Sequence, residues 1–227
     1  MEHYAKEYKE YGQKTKRRWV PHLFQVACSL IRNVWIPKTY DIIAKYYDCF
    51  LKWFFPVAEK TQRKVVEELN SGSILDVACG TGSVLAMAYK KGLKCYGIDV
   101  SEGMLRQAKL KVPHAELQIA DFQSIPYPHN RFDYVVSTNS ISGLRINPKK
   151  VVSEMIRVCK YAGEVRIADY CKPAKVTWKN RLVINLLSLT GDVPHDYSKI
   201  FRELGYEPYV ENLGLHDTFQ YFRIKKH

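Results

Sequence analysis

Five residues in the middle of the chain have the types and spacing that cofactor chemistry requires. Asp76, Ala78, Gly80 and Gly82 occupy alternate positions at the end of the apolar run beginning at Ile74. Asp99 closes a second apolar run, Cys95-Tyr96-Gly97-Ile98. The order is a buried strand, a glycine loop opening a helix, a second strand, and an acid at that strand's end. In a βαβ unit the glycines let the backbone approach a ligand, and the acid accepts hydrogen bonds from ribose hydroxyls. The chemistry is therefore recognition of a nucleoside-containing cofactor. A dinucleotide fingerprint needs a third glycine, which would fall at Leu85; its loss argues against NAD or FAD. No Lys-Ser or Lys-Thr follows the glycines, which excludes a phosphate loop.

Such residues need a parallel sheet to bring them together. Hydrophobic periodicity predicts strands near 73–78, 94–99, 116–120, 132–138 and 163–169, with helices near 82–91, 102–111 and 148–160. Alternation of this kind implies a doubly wound α/β sheet, with the ligand outside the carboxyl ends of the strands where their order switches. Beyond Asp169 the pattern predicts a helix near 176–188, a turn at Gly191-Asp192-Val193-Pro194 and a helix near 195–204. Two final strands follow, near 207–213 and 218–225.

Asp76-x-Ala78-x-Gly80-x-Gly82 resembles the first motif of class I S-adenosylmethionine-dependent methyltransferases, with Ala78 in place of the commonest first glycine. Further matches follow in order. Gly97-Ile98-Asp99-Val100-Ser101-Glu102-Gly103-Met104-Leu105 resembles the family's ribose-binding strand end and next helix. Ala120-Asp121-Phe122 resembles its adenine segment, and Ile125 to Val135 the approach to its fourth strand. Glu154 to Lys160, then Ala162-Gly163-Glu164, resembles the helix and turn before the fifth. The resemblance runs from Tyr40 to Pro173 and is nearest in flavour to the ubiquinone/menaquinone C-methyltransferases and bacterial phospholipid N-methyltransferases. It implies a Rossmann-like, seven-stranded, mostly parallel sheet with an antiparallel last strand, helices on both faces and extra N-terminal helices. It also implies S-adenosylmethionine as cofactor and S-adenosylhomocysteine as product.

The same resemblance implies roles for single residues. Gly80 and Gly82 back the methionine moiety, and Asp76 orients that loop or reaches the amino group through water. Asp99 takes both ribose hydroxyls, with Val100 beside it at the same strand end. Met104 packs on the adenine, Asp121 accepts from its exocyclic amine and Phe122 offers a backbone N–H. Asn139 stands where cofactor and substrate meet. Tyr47, within Ile43-Ala44-x-x-Tyr47-Asp48, belongs to a pre-core helix folded over the methionine end.

Methyl transfer from a sulfonium is an in-line displacement in which proximity alone can supply roughly 7–11 kcal/mol. A general base is needed only when the acceptor is protonated, so catalytic residues are less legible than cofactor ligands. Tyr47, Asn139 and His195 are the catalytic candidates, with Tyr40, Tyr197 and His216 as further substrate-side candidates. The sixteen tyrosines suit either cation–π stabilisation of an amine or ordinary packing.

Residues 1–38 form a basic extension to a methyltransferase domain spanning 39–227. The extension carries eight Lys/Arg against three Glu, a net +5, and Leu23, Val26, Leu30 and Val34 lie on one helical face. That pattern suits an anionic membrane surface, and equally a helix covering the site or packing on the core. The whole chain carries a net charge of +12, compatible with any anionic partner. Six cysteines without a Cys-x-x-Cys spacing read as reduced thiols, with no metal site and a cytoplasmic location, peripheral to a membrane at most. Neither a signal peptide nor an apolar run of ~18 residues is expected.

The expected acceptor is a small molecule or lipid, either a phospholipid headgroup amine or a quinone-type ring. Residues 174–227 depart from the quinone group's usual ending. A nucleic-acid methyltransferase is the alternative, but the base-methylating Asn/Asp-Pro-Pro-aromatic motif is replaced by Ser137-Thr138-Asn139-Ser140-Ile141. A non-catalytic cofactor-binding assembly protein is a third reading, opposed by the intact Gly80, Gly82, Asp99 and Asp121.

Overall fold

The computed structural model describes residues 40–227 apart from 42, 55, 143–145 and 190–191. The extension expected over 1–38 lies outside the described residues, as does Gly191 of the expected turn. A 3-10 turn, Ala44–Tyr46, leads into α1 (Tyr47–Phe54) and α2 (Pro56–Val66). Then come β1 (Ser73–Val77), α3 (Ser83–Lys90), β2 (Lys94–Asp99), α4 (Glu102–Lys111), β3 (Glu116–Ile119) and β4 (Phe132–Thr138). The remainder is α5 (Pro148–Val158), β5 (Cys159–Tyr170), α6 (Trp178–Leu189), α7 (Tyr197–Glu203), β6 (Tyr209–Gly214) and β7 (Phe219–Lys225).

The strands form one sheet in the order β3-β2-β1-β4-β5-β7-β6. β7 runs antiparallel to both β5 and β6, and the other pairings are parallel. Alternate strand residues feed two cores. Ile74, Val136, Ala168 and Tyr221 face α2, α3 and α6 on one side. Leu75, Val77, Val135, Ile167 and Phe222 face α5 and α7 on the other. The chain leaves β1 towards β2 and β3, then returns to place β4 on β1's opposite edge. The crevice of this switch opens at the carboxyl ends of β1 and β4.

Short polar residues set the helix starts. Ser101 accepts the Met104 N–H at 3.1 Å and Asn147 accepts that of Lys150 at 3.1 Å, with Pro148 at the first helical position. One helix end and one whole helix depart from the periodicity. The helix expected to reach 160 ends at Val158, because Cys159 already pairs with Phe132 across a bulge in the β4–β5 ladder. α2 is a separate helix that starts on Pro56 and buries Ala58, Thr61, Val65 and Val66.

Candidate functional site

The loop after β1 turns through left-handed backbone at Ala78 (φ 62°), Gly80 (52°) and Gly82 (79°). Holding Ala78 there costs about 1 kcal/mol that a glycine would avoid. At Gly82 a side chain is excluded twice over, since a Cβ would stand 2.9 Å from Ala108 Cβ and 3.0 Å from its Cα. The loop is tied across the sheet by the Cys79 N–H, which donates to the Ile98 carbonyl at 2.9 Å.

That tie brings the acid of β2 under the loop. Asp99 Oδ2 accepts the Gly80 N–H at 2.8 Å, and Oδ1 accepts the Ser101 N–H at 2.9 Å. Burial pushes the Asp99 carboxyl up, against the lowering pull of these donors. Asp76 is 1% exposed, and among the described residues its buried Oδ1 meets no donor. Burial, with the Asp99 charge behind it, raises the Asp76 pKa well above the carboxylate range. Asn139 follows β4 directly with φ 51°, held by its N–H to the Ala168 carbonyl at 3.0 Å. Its amide donates to Thr61 Oγ1 at 2.7 Å, while its Oδ1 is a second buried acceptor without a donor among the described residues. Buried acceptors normally find partners. Two orphans at the mouth of the switch suit a ligand that brings an ammonium or amine donor, as the methionine end of S-adenosylmethionine does.

The segment before β1 is pinned over this site. Asp41 Oδ1 accepts from Ser101 Oγ and from the Gly103 N–H, each at 2.6 Å. Asp48 accepts from Thr81 Oγ1 at 2.5 Å and pairs with Lys111, whose ammonium also donates to Thr81 Oγ1 at 2.9 Å and Ser83 Oγ at 3.1 Å. Tyr47 meets Tyr40 edge-on at 5.9 Å. Burial raises its phenol pKa, and the charges of Tyr40 and Asp99 add to the effect. A Cβ on Gly103 would stand 2.6 Å from Asp41 Cα, a backbone atom with no freedom to swing aside. Gly103→Val should therefore lift this segment off α4. The expected result is cofactor binding weakened about tenfold or more by loss of two hydrogen bonds to a carboxylate, with calorimetric titration as the check.

The other expected residues are placed as follows. Met104 is buried at the start of α4, and Val100 is exposed beside Asp99. Asp121 is exposed and accepts the Gln123 N–H at 2.8 Å; Phe122 packs on the α5–α7 core. The Ala120 N–H donates to the Asp99 carbonyl at 3.0 Å, which draws this segment to the end of β2. Tyr197 is fully buried and donates to Asp169 Oδ2 at 3.1 Å, so it sits in the core. His195, edge-on to Tyr197 at 6.1 Å, bridges to Cys171 beyond β5. His216 is exposed in the left-handed turn 215–217 between β6 and β7, two strands beyond β5.

Periodicity did not single out Asp169, which organises the floor of the site. Its Oδ2 also accepts the Ile141 N–H at 2.8 Å and its Oδ1 the Tyr170 N–H at 2.7 Å, fixing the loop that carries Asn139. Burial pushes this carboxyl up to about 6 against those donors. The only sequence signal was an acid at the end of the strand expected over 163–169. Four cysteines, Cys79, Cys95, Cys159 and Cys171, are buried free thiols, and Cys49 is an exposed one.

Residues 75–167 match the family described as Methyltransferase domain. Phosphatidylethanolamine N-methyltransferase of Cereibacter sphaeroides is 36% identical over 125 residues, covering 52% of this chain and 61% of the relative. Demethylmenaquinone methyltransferase of Paenarthrobacter aurescens (strain TC1) is 35% identical over 109 residues, covering 47% and 42%. The chain thus spans less than two thirds of the length of these relatives. In fold it is similar to the methyltransferase solved with the Haloferax volcanii Trm112 activator, with a TM-score of 0.67 at 15% identity, covering 83% of this chain and 98% of that one. The sheet order, the glycine loop and the matched segment define a class I methyltransferase domain, whose cofactor is S-adenosylmethionine.

Proposed function

We propose that the protein transfers a methyl group from S-adenosylmethionine to a small-molecule or lipid acceptor. The observation that carries this reading is the pair of donorless buried acceptors, Asp76 Oδ1 and Asn139 Oδ1, beside a carboxylate already threaded under the glycine loop. Asp99 spends one lone pair of each oxygen on Gly80 and Ser101. A carboxylate offers about four acceptor sites, which leaves two for two ribose hydroxyls. Asp76 and Asn139 receive the methionine end, and Met104 with Asp121 and Phe122 receives the adenine. Val100 borders the ribose. Tyr47 closes the site as a neutral phenol, since its raised pKa suits donating a hydrogen bond and not taking a proton.

Bound S-adenosylmethionine would supply a methyl group on a sulfonium to the acceptor's nitrogen lone pair or ring-carbon electron pair, with S-adenosylhomocysteine as leaving group and the acceptor's proton lost to solvent. The residues around the site align that displacement and exclude water. The names of the relatives make a phospholipid amine and a quinone ring the acceptor classes to try first. With methyl-labelled cofactor, the full chain is expected to label either phosphatidylethanolamine or a demethylated quinone presented in vesicles. Label in neither lipid class, with transfer to RNA instead, would overturn the acceptor reading.

A further inference from the structure

Helix α6 has two apolar faces, and only one of them is used by the fold. Asn180, Ile184 and Leu187 point inward, the last two joining the core built on Tyr170 and Phe219. Trp178, Leu182 and Leu186 are 75%, 65% and 64% exposed. At ~100° per residue they form a stripe about 80° wide on the side away from the core. Arg181 and Lys179, both exposed, border the stripe on its two flanks, and the Lys179 ammonium lies 5.6 Å from the Trp178 ring centre. The approach to the helix continues the pattern, with Val176 54% exposed and Lys172 and Lys175 exposed beside it. No Asp or Glu occurs between Asp169 and Asp192, so the segment carries a net +4. Among the described residues none of these four cations pairs with an acid.

We infer that α6 and its approach form a docking surface for an anionic membrane. An exposed Trp/Leu stripe flanked by cations on long stems is what an interfacial helix presents. The apolar side chains enter the acyl boundary and the ammonium and guanidinium groups stay at the headgroups. Charge selects this occupant over the alternatives. A second copy would bring the same +4 face, and residues 1–38 of this chain carry +5, so both are repelled where anionic lipid is attracted. The surface stands at the site end of the molecule: just past α6, the Val193 N–H donates to the Ser142 carbonyl at 2.7 Å and Ser142 Oγ donates to Asp192 at 3.4 Å, tying the end of the helix to the loop that follows Asn139. Among the described residues no helix is long and apolar enough to cross a membrane, so docking is in the interface plane. This deepens the lipid-acceptor reading by naming where the lipid is met.

The test is co-flotation of the full chain, without cofactor, on phosphatidylcholine vesicles with and without about one third phosphatidylglycerol. Wild-type protein is expected to float with the anionic vesicles only. Trp178→Ser/Leu182→Ser/Leu186→Ser and Lys175→Glu/Lys179→Glu/Arg181→Glu should each cut the partition by about tenfold or more. All six side chains are exposed, so both variants should keep the wild-type melting temperature. Absent wild-type flotation, or undiminished flotation of both variants, overturns the inference. So does a lipid-free wild-type dimer that the serine variant converts to monomer, which would make the face an interface between copies. Flotation that depends on α6, with no vesicle lipid methylated, leaves the docking surface standing and removes only the lipid as acceptor.

Discussion

Asp99→Ala should weaken S-adenosylhomocysteine binding by about 10²–10⁴-fold, since hydrogen bonds to a charged group are worth about 1.5–3 kcal/mol each and two are lost. The effect has two sources. The ribose loses its acceptor, and the Gly80 and Ser101 N–H groups, 2.8 and 2.9 Å from the carboxylate, lose theirs. The second loss slackens the loop itself, so the variant should also melt earlier, by about 1–3 kcal/mol of stability for partly buried donors left unsatisfied. Asp99→Asn keeps the volume but turns an amide N–H₂ towards one of those donors, and it should fail nearly as badly. Calorimetric titration reads the affinity and a thermal melt the stability; wild-type affinity in either variant would remove Asp99 from the site.

Asp76→Asn should move stability and binding in opposite directions. In the free protein the Asp76 carboxylate is buried, lacks a donor at Oδ1 and faces the charge of Asp99, all of which favour its protonated form. Asparagine removes the charge without removing the volume, and should stabilise the free protein by about 1–3 kcal/mol, the cost of an unsatisfied buried polar group. The same change removes the partner for a cationic ligand and should weaken cofactor binding about a hundredfold. The pH dependence follows from the direction of the shift. A group whose folded pKa is raised contributes stability that is complete below the ordinary carboxylate range and is lost as pH rises through the folded value. The wild-type chain should therefore lose stability relative to Asp76→Asn as pH rises, and its cofactor affinity should increase over the same interval as the carboxylate ionises. Parallel melts and titrations of the two proteins across pH measure both; a variant less stable than wild type that binds the cofactor normally would make Asp76 a structural residue.

The parts of this site that the sequence disclosed are those held by local order. Asp76, Ala78, Gly80, Gly82 and Asp99 lie within one strand–loop–helix–strand unit, and adjacent parallel strands bring their ends together whatever the rest of the chain does. Most strand and helix limits were legible for the same reason, because apolar alternation marks them. The contacts that close the site were not legible, because they join residues with no sequence relation. Asp41 reaches Ser101 across 60 positions, Asp48 reaches Thr81 across 33, and Asn139 meets Thr61 across 78. α2, which carries Thr61, is read from periodicity only once Pro56 is recognised as a start and not a break. Asp169 and Tyr197 show the opposite failure. A tyrosine in a polar stretch looked available for substrate, yet it is buried against a carboxylate that the strand pattern gave no reason to single out.

The most direct measurement is isothermal titration of the 227-residue chain with S-adenosylmethionine and with S-adenosylhomocysteine. The arrangement of Asp99, Asp76 and Asn139 predicts saturable one-to-one binding of both. It also predicts tighter binding of S-adenosylmethionine at higher pH and loss of both in Asp99→Ala. A folded protein that takes up neither ligand, with or without vesicles present, would contradict the cofactor site and the methyl transfer built on it.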